Sequence, residues 1–447
     1  MLHQPIVVPI ATRAEVIAAF SYALDLTEGQ PAGHCIRACW IGMQVGRELG
    51  LGRTELADLY YTLLLKDLGC SSNAARICEL YAADDRAFKQ GYKTVGTSLA
   101  ATLHFVFSKT AKGQPLARRA AAIGNILRNG DGIAQELILS RCTRGADIAR
   151  RLRFSEEVCA GIYHLDEHWN GSGRPGRLTG EAIPLASRIA LLAQVVDVFH
   201  GHAGPQAAMD EVRRRSGLWF DPALVRALEA ASVASSFWTV LQSPTVEARV
   251  VRLAPEEAAG SLDEEYLDDI ADAFGQVIDA KSPFTAGHSL RVGSLSHRMA
   301  VTLGHDQHGA RWVRRAAVLH DVGKLGVSSA ILEKPGSLDE REWESMRDHA
   351  VHTRAILGRI GALADMADVA AAHHERLDGT GYPLALPGAA IGMDTRIITT
   401  CDFFDALVSD RPYRAALPVE EALGIMDKEA GSALDSDCLA ALKASLG

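Results

Sequence analysis

Residues Ala317-Val318-Leu319-His320-Asp321-Val322-Gly323-Lys324 decide how this chain is read. An apolar run ends in an adjacent imidazole and carboxylate, and a Lys follows four residues after the His. A His-Asp pair at the inner end of a buried helix can share one divalent ion or bridge two, and it suits hard or borderline metals. One helical turn on, the Lys lies on the same face, where it can hold a phosphate. The dipeptide alone is common by chance, so its weight depends on its surroundings.

The same half of the chain also carries His288, His349, His373-His374 and Asp402. Each sits on or at the end of a segment with helical periodicity, so one bundle can gather them all. Helical bundles build metal sites in this way, from inward side chains on facing helices. A lone His on a helix is more often a core or surface residue. Tandem His373-His374 after Val369-Ala-Ala-Ala372 is different, because two imidazoles in an apolar setting need partners. Five His and two Asp exceed what one tetrahedral zinc site needs and suit two ions completed by water.

The chain contains a second version of this pattern. An offset of 254 residues lays Phe20 on Phe274, Asp25 on Asp279, Gly33-His34 on Gly287-His288, Arg37 on Arg291, and Asp67 and Gly69 on Asp321 and Gly323. Further on, Asn170-Gly-Ser-Gly-Arg-Pro175 lies on Asp378-Gly-Thr-Gly-Tyr-Pro383 at an offset of 208. One offset held over such a span marks an internal duplication. The change of offset gives the first copy about 46 extra residues, expected between Asp84 and Arg153, with loops around Gly113-Gln-Pro115 and Asn129-Gly-Asp-Gly132.

Composition agrees with two domains. At 447 residues the chain is too long for one ordinary core. Aromatics are only 6% beside 48% hydrophobic residues, which fits an Ala- and Leu-rich helical protein. A net charge of -9 argues against a DNA- or RNA-duplex binder, which needs a basic surface. The eight Cys include no CxxC pair, so neither a zinc ribbon nor a disulfide framework is indicated. Met1 to Ile10 has no basic n-region, and no apolar run approaches the roughly 20 residues that span a bilayer. The expected location is the cytoplasm, with no membrane.

Thr12-Arg-Ala-Glu15 and Ser261-Leu-Asp-Glu264 read as capping boxes that open the two copies. Tyr266, Ile270, Phe274 and Val277 form the apolar stripe after the second. Between Pro244 and Pro255, Val246 to Leu253 alternates loosely, as a short strand or extended linker would. The fold expected is all-α: two tandem helical bundles over 1–240 and 261–447, joined by a linker at 241–260 with minor β content.

From Ser261 onward the chain resembles an HD-GYP domain of the HD phosphohydrolase superfamily, with a degenerate HD or HD-GYP-like copy ahead of it. The motifs are His288-Ser-Leu-Arg-Val292, His320-Asp321-Val-Gly-Lys324, Ile331-Leu-Glu-Lys-Pro-Gly336, Met346-Arg-Asp-His349, His373-His-Glu-Arg-Leu-Asp-Gly-Thr-Gly-Tyr-Pro383, Asp402-Phe-Phe-Asp405 and Arg411-Pro-Tyr-Arg414. The resemblance implies a metal-dependent phosphodiesterase that opens a cyclic dinucleotide. Cyclic di-GMP is the usual substrate, cut to the linear dinucleotide and in some members on to GMP. A degenerate copy ahead of the active one also resembles hydrolases of 3′,3′-cGAMP, which is the alternative. A non-catalytic cyclic-dinucleotide receptor is the further one.

By the same resemblance, His288, His320, Asp321, His349, His373, His374 and Asp402 would ligate two divalent ions, iron or manganese. Asp321 and Lys324 would be catalytic, with Lys324 on the scissile phosphate. Tyr382, Asp405, Arg411 and Arg414 would lie near the substrate. Some members hold a third ion through a Glu where this chain has Phe284. Thr353 stands where a Gly is usual and adds bulk near the pocket.

In the first copy, Lys66 replaces His320, Cys70 replaces Lys324, Leu165-Asp166 replace His373-His374, Arg174 replaces Tyr382, and Gln194 replaces Asp402. An ammonium where a metal cation must sit repels it. That copy is expected to sense, regulate, or pair with a second chain or a signalling partner, and not to catalyse.

Overall fold

The computed structural model describes residues 12–95, 99–112, 114–255 and 262–446 and divides the chain into two compact units, Thr12–Ser261 and Leu262–Gly447. Both are all-α. Among the described residues, β pairing is limited to isolated bridges such as Asn170 with Thr179.

In the second unit, Asp263 caps the helix Glu264–Asp279, its carboxylate accepting from the Tyr266 amide at 2.7 Å. Ser261 lies outside the described residues, so the cap observed is Asp263, an acidic group well placed at a helix N-terminus. Tyr266, Ile270, Phe274 and Val277 are all buried, as their spacing requires. The helix His288–Thr302 starts at Gly287, whose φ of 72° suits only a residue without Cβ. It packs on Gln307–Leu319 and on Met393–Val408.

Gln307–Leu319 delivers His320 and Asp321 into a tight turn, Val322–Gly326, against which Glu340–Leu357 lies. Gly323 permits that approach, since a Cβ there would overlap the His349 carbonyl. Thr353, one turn after His349, clasps the junction. Its hydroxyl donates to the His320 carbonyl at 2.9 Å and accepts from the Gly323 amide at 3.0 Å. The unusual Thr therefore satisfies two buried backbone groups at the His-Asp turn.

The first unit repeats the plan. Thr12 and Glu15 form the expected capping box, and Gly33, with φ of 81°, opens the helix His34–Glu48. Gly69 lies against the Arg141 carbonyl as Gly323 lies against that of His349, so Arg141 stands where the second unit has His349.

Two expectations are corrected here. Val246–Val251 is a short helix, not a strand or extended linker, and Val250 is buried in its packing on Arg13–Thr27 and His34–Glu48. Burial of one helical face outweighs the weak β preference of its valines. No loop occurs at Asn129–Gly132 either, because the helix Leu116–Arg151 runs straight through it. Interior glycines cost roughly 0.5–1 kcal/mol each, which a helix of this length anchored at Ile126 and Ile133 tolerates. Gly113 lies outside the described residues.

Candidate metal centre

All seven expected ligands meet inside the second unit, delivered by five separate stretches of backbone. His288 begins one helix, His320-Asp321 end another, His349 sits mid-helix, His373-His374 follow Ala364–Ala371, and Asp402 lies within Met393–Val408. Asp321 is at the middle and is fully buried. Its Oδ2 lies 3.5 Å from His288 Nε2 and 3.3 Å from His320 Nε2. Its Oδ1 lies 3.5 Å from His349 Nε2 and 3.7 Å from His373 Nε2. Asp402 Oδ1 closes the first side, 3.3 Å from His288 Nε2 and 3.7 Å from His320 Nε2.

The carboxylate thus faces two groups, which His320, His373 and Asp402 link as a third set of ligand atoms mutually within reach. His288, His320 and Asp321 form one set with ligand atoms mutually within reach of one ion, and His349, His373 and His374 form another.

The imidazoles are held from behind. Nδ1 of His320, His349 and His373 each bonds the carbonyl three residues earlier, of Ala317, Met346 and Ala370, at 2.6 Å. Nδ1 of His288 bonds Asp405 Oδ2 at 2.7 Å. A ring whose Nδ1–H donates outward presents its Nε2 lone pair inward, the usual support for a metal ligand. Nε2 of His288 and of His320, and Asp321 Oδ1, are buried without a hydrogen-bond partner among the described residues. Such orphaned acceptors are costly in a native interior unless a cation satisfies them. The donor set therefore fits two divalent ions.

Electrostatics agree. Burial pushes His349 down to about 4 and His374 to about 3, so both stay neutral. Against the pull of burial, the charge of Asp321 raises His320 to about 9. Burial works against ionised Asp321 as well, yet His320 and Lys324 hold its pKa well below the usual carboxylate range. The centre is arranged for positive charge.

The other expected residues divide. Lys324 Nζ donates to Asp321 Oδ2 at 2.5 Å and keeps part of its side chain exposed. Tyr382 stacks on His374 with ring centroids 4.7 Å apart. Asp405 is buried behind His288 and also accepts from Arg291 Nε at 2.6 Å. Arg414 gives its guanidinium to the main-chain carbonyls of Ala406, Leu407 and Ala415. Arg411 has no side-chain partner among the described residues.

Three supporting residues escaped the sequence reading. Arg291 locks Asp405 with a two-pronged contact. Buried Glu375 accepts the amides of Leu384 and Leu386 at 2.7 and 2.9 Å and so fixes the loop bearing Tyr382. Arg141 is the third. The duplication offsets could have flagged them all, since Arg37, Glu167 and His349 are their counterparts. Glu167 indeed accepts from Gly176 and Leu178 in the same manner.

In the first unit the matching space is filled by protein cations. Lys66 pairs with Asp67, and Arg141 with Asp166. Lys93 reaches Glu28 at 2.9 Å and Lys89 reaches it at 3.4 Å. Glu28, Asp67 and Cys70 have the spacing of a metal site, yet these ammonium and guanidinium groups already neutralise them. His34 still bonds Asp197 at 2.7 Å, as His288 bonds Asp405.

Comparison with known proteins fits this geometry. A family model described as HD domain matches twice, over residues 123–224 and 272–438, once in each unit. The chain belongs to the HD domain family. It is 53% identical to 3′3′-cGAMP-specific phosphodiesterase 3 of Vibrio cholerae serotype O1, over 97% of this chain and 94% of that one. A crystal structure described as a cyclic GMP-AMP-specific phosphodiesterase of V. cholerae superposes with a TM-score of 0.67 at 47% identity, covering 98% of both chains. A cyclic di-GMP phosphodiesterase of Thermotoga maritima is 36% identical over 38% of this chain and 46% of its own length. Within the HD domain family, the second unit carries the HD-GYP motifs and the first is their degenerate copy.

Proposed function

We propose that this chain is a metal-dependent phosphodiesterase that hydrolyses 3′,3′-cGAMP to a linear dinucleotide, with its second unit as the catalytic one. The observation that carries the chemistry is Asp321, whose two oxygens face two groups of inward imidazole nitrogens. The dinucleotide follows from the relative that is similar over nearly the whole chain, and it favours 3′,3′-cGAMP over the cyclic di-GMP first expected.

His288, His320, Asp321 and Asp402 would hold one ion, and Asp321, His349, His373 and His374 the other, with iron or manganese suited to the donors. Bound there, such ions supply charge neutralisation at the phosphoryl oxygens and acidify an attacking water. The chain's own residues do the rest. Asp321, held by its neighbours, would orient an attacking water, whose oxygen bonds to phosphorus as one P–O bond of the ring breaks. Lys324 stands beside it as a cation for the phosphoryl oxygens as they gain charge. Tyr382, stacked on His374 and carried by the Glu375-held loop, would lie beside the substrate. The first unit, its pocket filled by Lys66 and Arg141, is proposed as a regulatory or pairing domain. Among the described residues no helix is long and apolar enough to cross a membrane, and a cytoplasmic enzyme is the reading we propose.

His320→Ala and Asp321→Ala variants separate this reading from that of a receptor. Turnover of 3′,3′-cGAMP is expected to fall by at least about a thousandfold in both, against a wild type that turns over. A wild type that binds the dinucleotide but never cleaves it, with metal confirmed, would be a receptor.

A further inference from the structure

Beside the metal centre the second unit has a cavity of about 410 Å³, within the usual size range of small-molecule sites. Phe284, Arg291, Ser409 and Asp410 line it. It is linked to the candidate ligand set through one buried residue. Asp405 bonds Arg291, in the cavity wall, and His288, in the ligand set.

The chemistry of the wall is specific. Arg291 donates to Asp405 through Nε and Nη2, to Ser409 Oγ through Nη2 at 3.1 Å, and to the Ala286 carbonyl through Nη1 at 2.9 Å. All three nitrogens are engaged in the plane of the guanidinium, yet 45% of the side chain is exposed. The exposed part borders the cavity, where the face of a guanidinium is a surface on which a planar base stacks. Phe284 offers an aromatic ring to the same space. Asp410 accepts the Ala416 amide through Oδ1 at 2.9 Å and leaves Oδ2 without a partner among the described residues. A carboxylate only accepts. It therefore matches the guanine edge, where N1–H and N2–H both donate, and opposes the adenine edge, where N1 is an acceptor.

The duplication supplies a control. The first unit keeps Arg37 and Asp197 but has Gln30 in place of Phe284, Gly201 for Ser409 and His202 for Asp410. The stacking ring and the acceptor belong to the second unit alone.

We infer that this cavity is the guanine subsite, holding the guanine base between Phe284 and the Arg291 face, with Asp410 selecting it over adenine. The assignment rests on the cyclic-dinucleotide reading above. Phe284→Ala is expected to lower kcat/KM for 3′,3′-cGAMP about tenfold or more, mostly through KM, relative to its kcat/KM for bis(p-nitrophenyl) phosphate, which has no base. Asp410→Asn should reduce the preference for 3′,3′-cGAMP over cyclic di-AMP by about tenfold. Calorimetry on the metal-loaded protein gives an independent readout, with GMP binding more tightly than AMP and the difference lost in Asp410→Asn. Ratios and affinities unchanged within about twofold in both variants, with melting temperatures intact, would overturn the subsite. A wild type that binds GMP in this way but cleaves no cyclic dinucleotide would keep the subsite and overturn the phosphodiesterase reading instead.

Discussion

Arg411 and Arg414 stand three residues apart in one motif and pair through two main-chain hydrogen bonds, but their side chains have different surroundings. Arg414 closes the end of Met393–Val408 through the carbonyls of Ala406 and Leu407 and also donates to that of Ala415. Arg414→Ala should therefore lower stability by about 1–3 kcal/mol in denaturant melts. Arg411→Ala should leave the midpoint unchanged and raise KM for the dinucleotide. Equal midpoints for the two variants would contradict the assignment. Glu375→Ala removes the acceptor of two loop amides, so we expect a loss of about 2 kcal/mol or more, with weakened substrate binding as the Tyr382 loop loosens. The convergence of the seven candidate ligands was legible in the sequence because each sits at a fixed place in a motif. Arg414 was not, because its partners are carbonyls at a helix end, which a side-chain pattern does not display.

At the scale of elements, the first cap was readable from Thr12-Glu15 and the second unit's apolar stripe from Tyr266 to Val277, since both signals are local. The helix through Asn129–Gly132 was not, because turn residues there are overruled by helix on both sides. Gly130 and Gly132 have open space where a Cβ would sit. Each Gly→Ala change should stabilise by about 0.4–1 kcal/mol, read as a higher melting temperature. The first helix also carries a pH effect. Burial pushes Asp25 up from 3.8 to about 7. Between those values the folded chain holds a proton that the unfolded chain has released. This group's contribution is therefore present in acid and is lost as pH rises toward about 7. Asp25→Asn cannot ionise, so its stability relative to wild type should improve between about pH 5 and pH 8, on the order of 2 kcal/mol. A difference that does not vary with pH would place Asp25 in a different state.

For the whole molecule, the duplication explains why one chain holds an assembled centre and its cancelled twin. The offset in the sequence already exposed Lys66 in place of His320. Arg141 in place of His349 emerges only when the second offset, 208, is carried back from Asn170 into the longer first copy, and the matching contacts of Gly69 and Gly323 agree with it. Elemental analysis of the purified chain should find about two ions per chain, all lost when His320 and Asp321 are both replaced. Two ions per chain retained by that double variant would contradict the assignment of both to a centre built on Asp321. The most direct test of the central claim is a chromatographic assay of iron- or manganese-loaded protein against 3′,3′-cGAMP, cyclic di-GMP and cyclic di-AMP. The account predicts that 3′,3′-cGAMP is opened to its linear dinucleotide with the highest kcat/KM. Metal-loaded protein that leaves all three rings intact would contradict it.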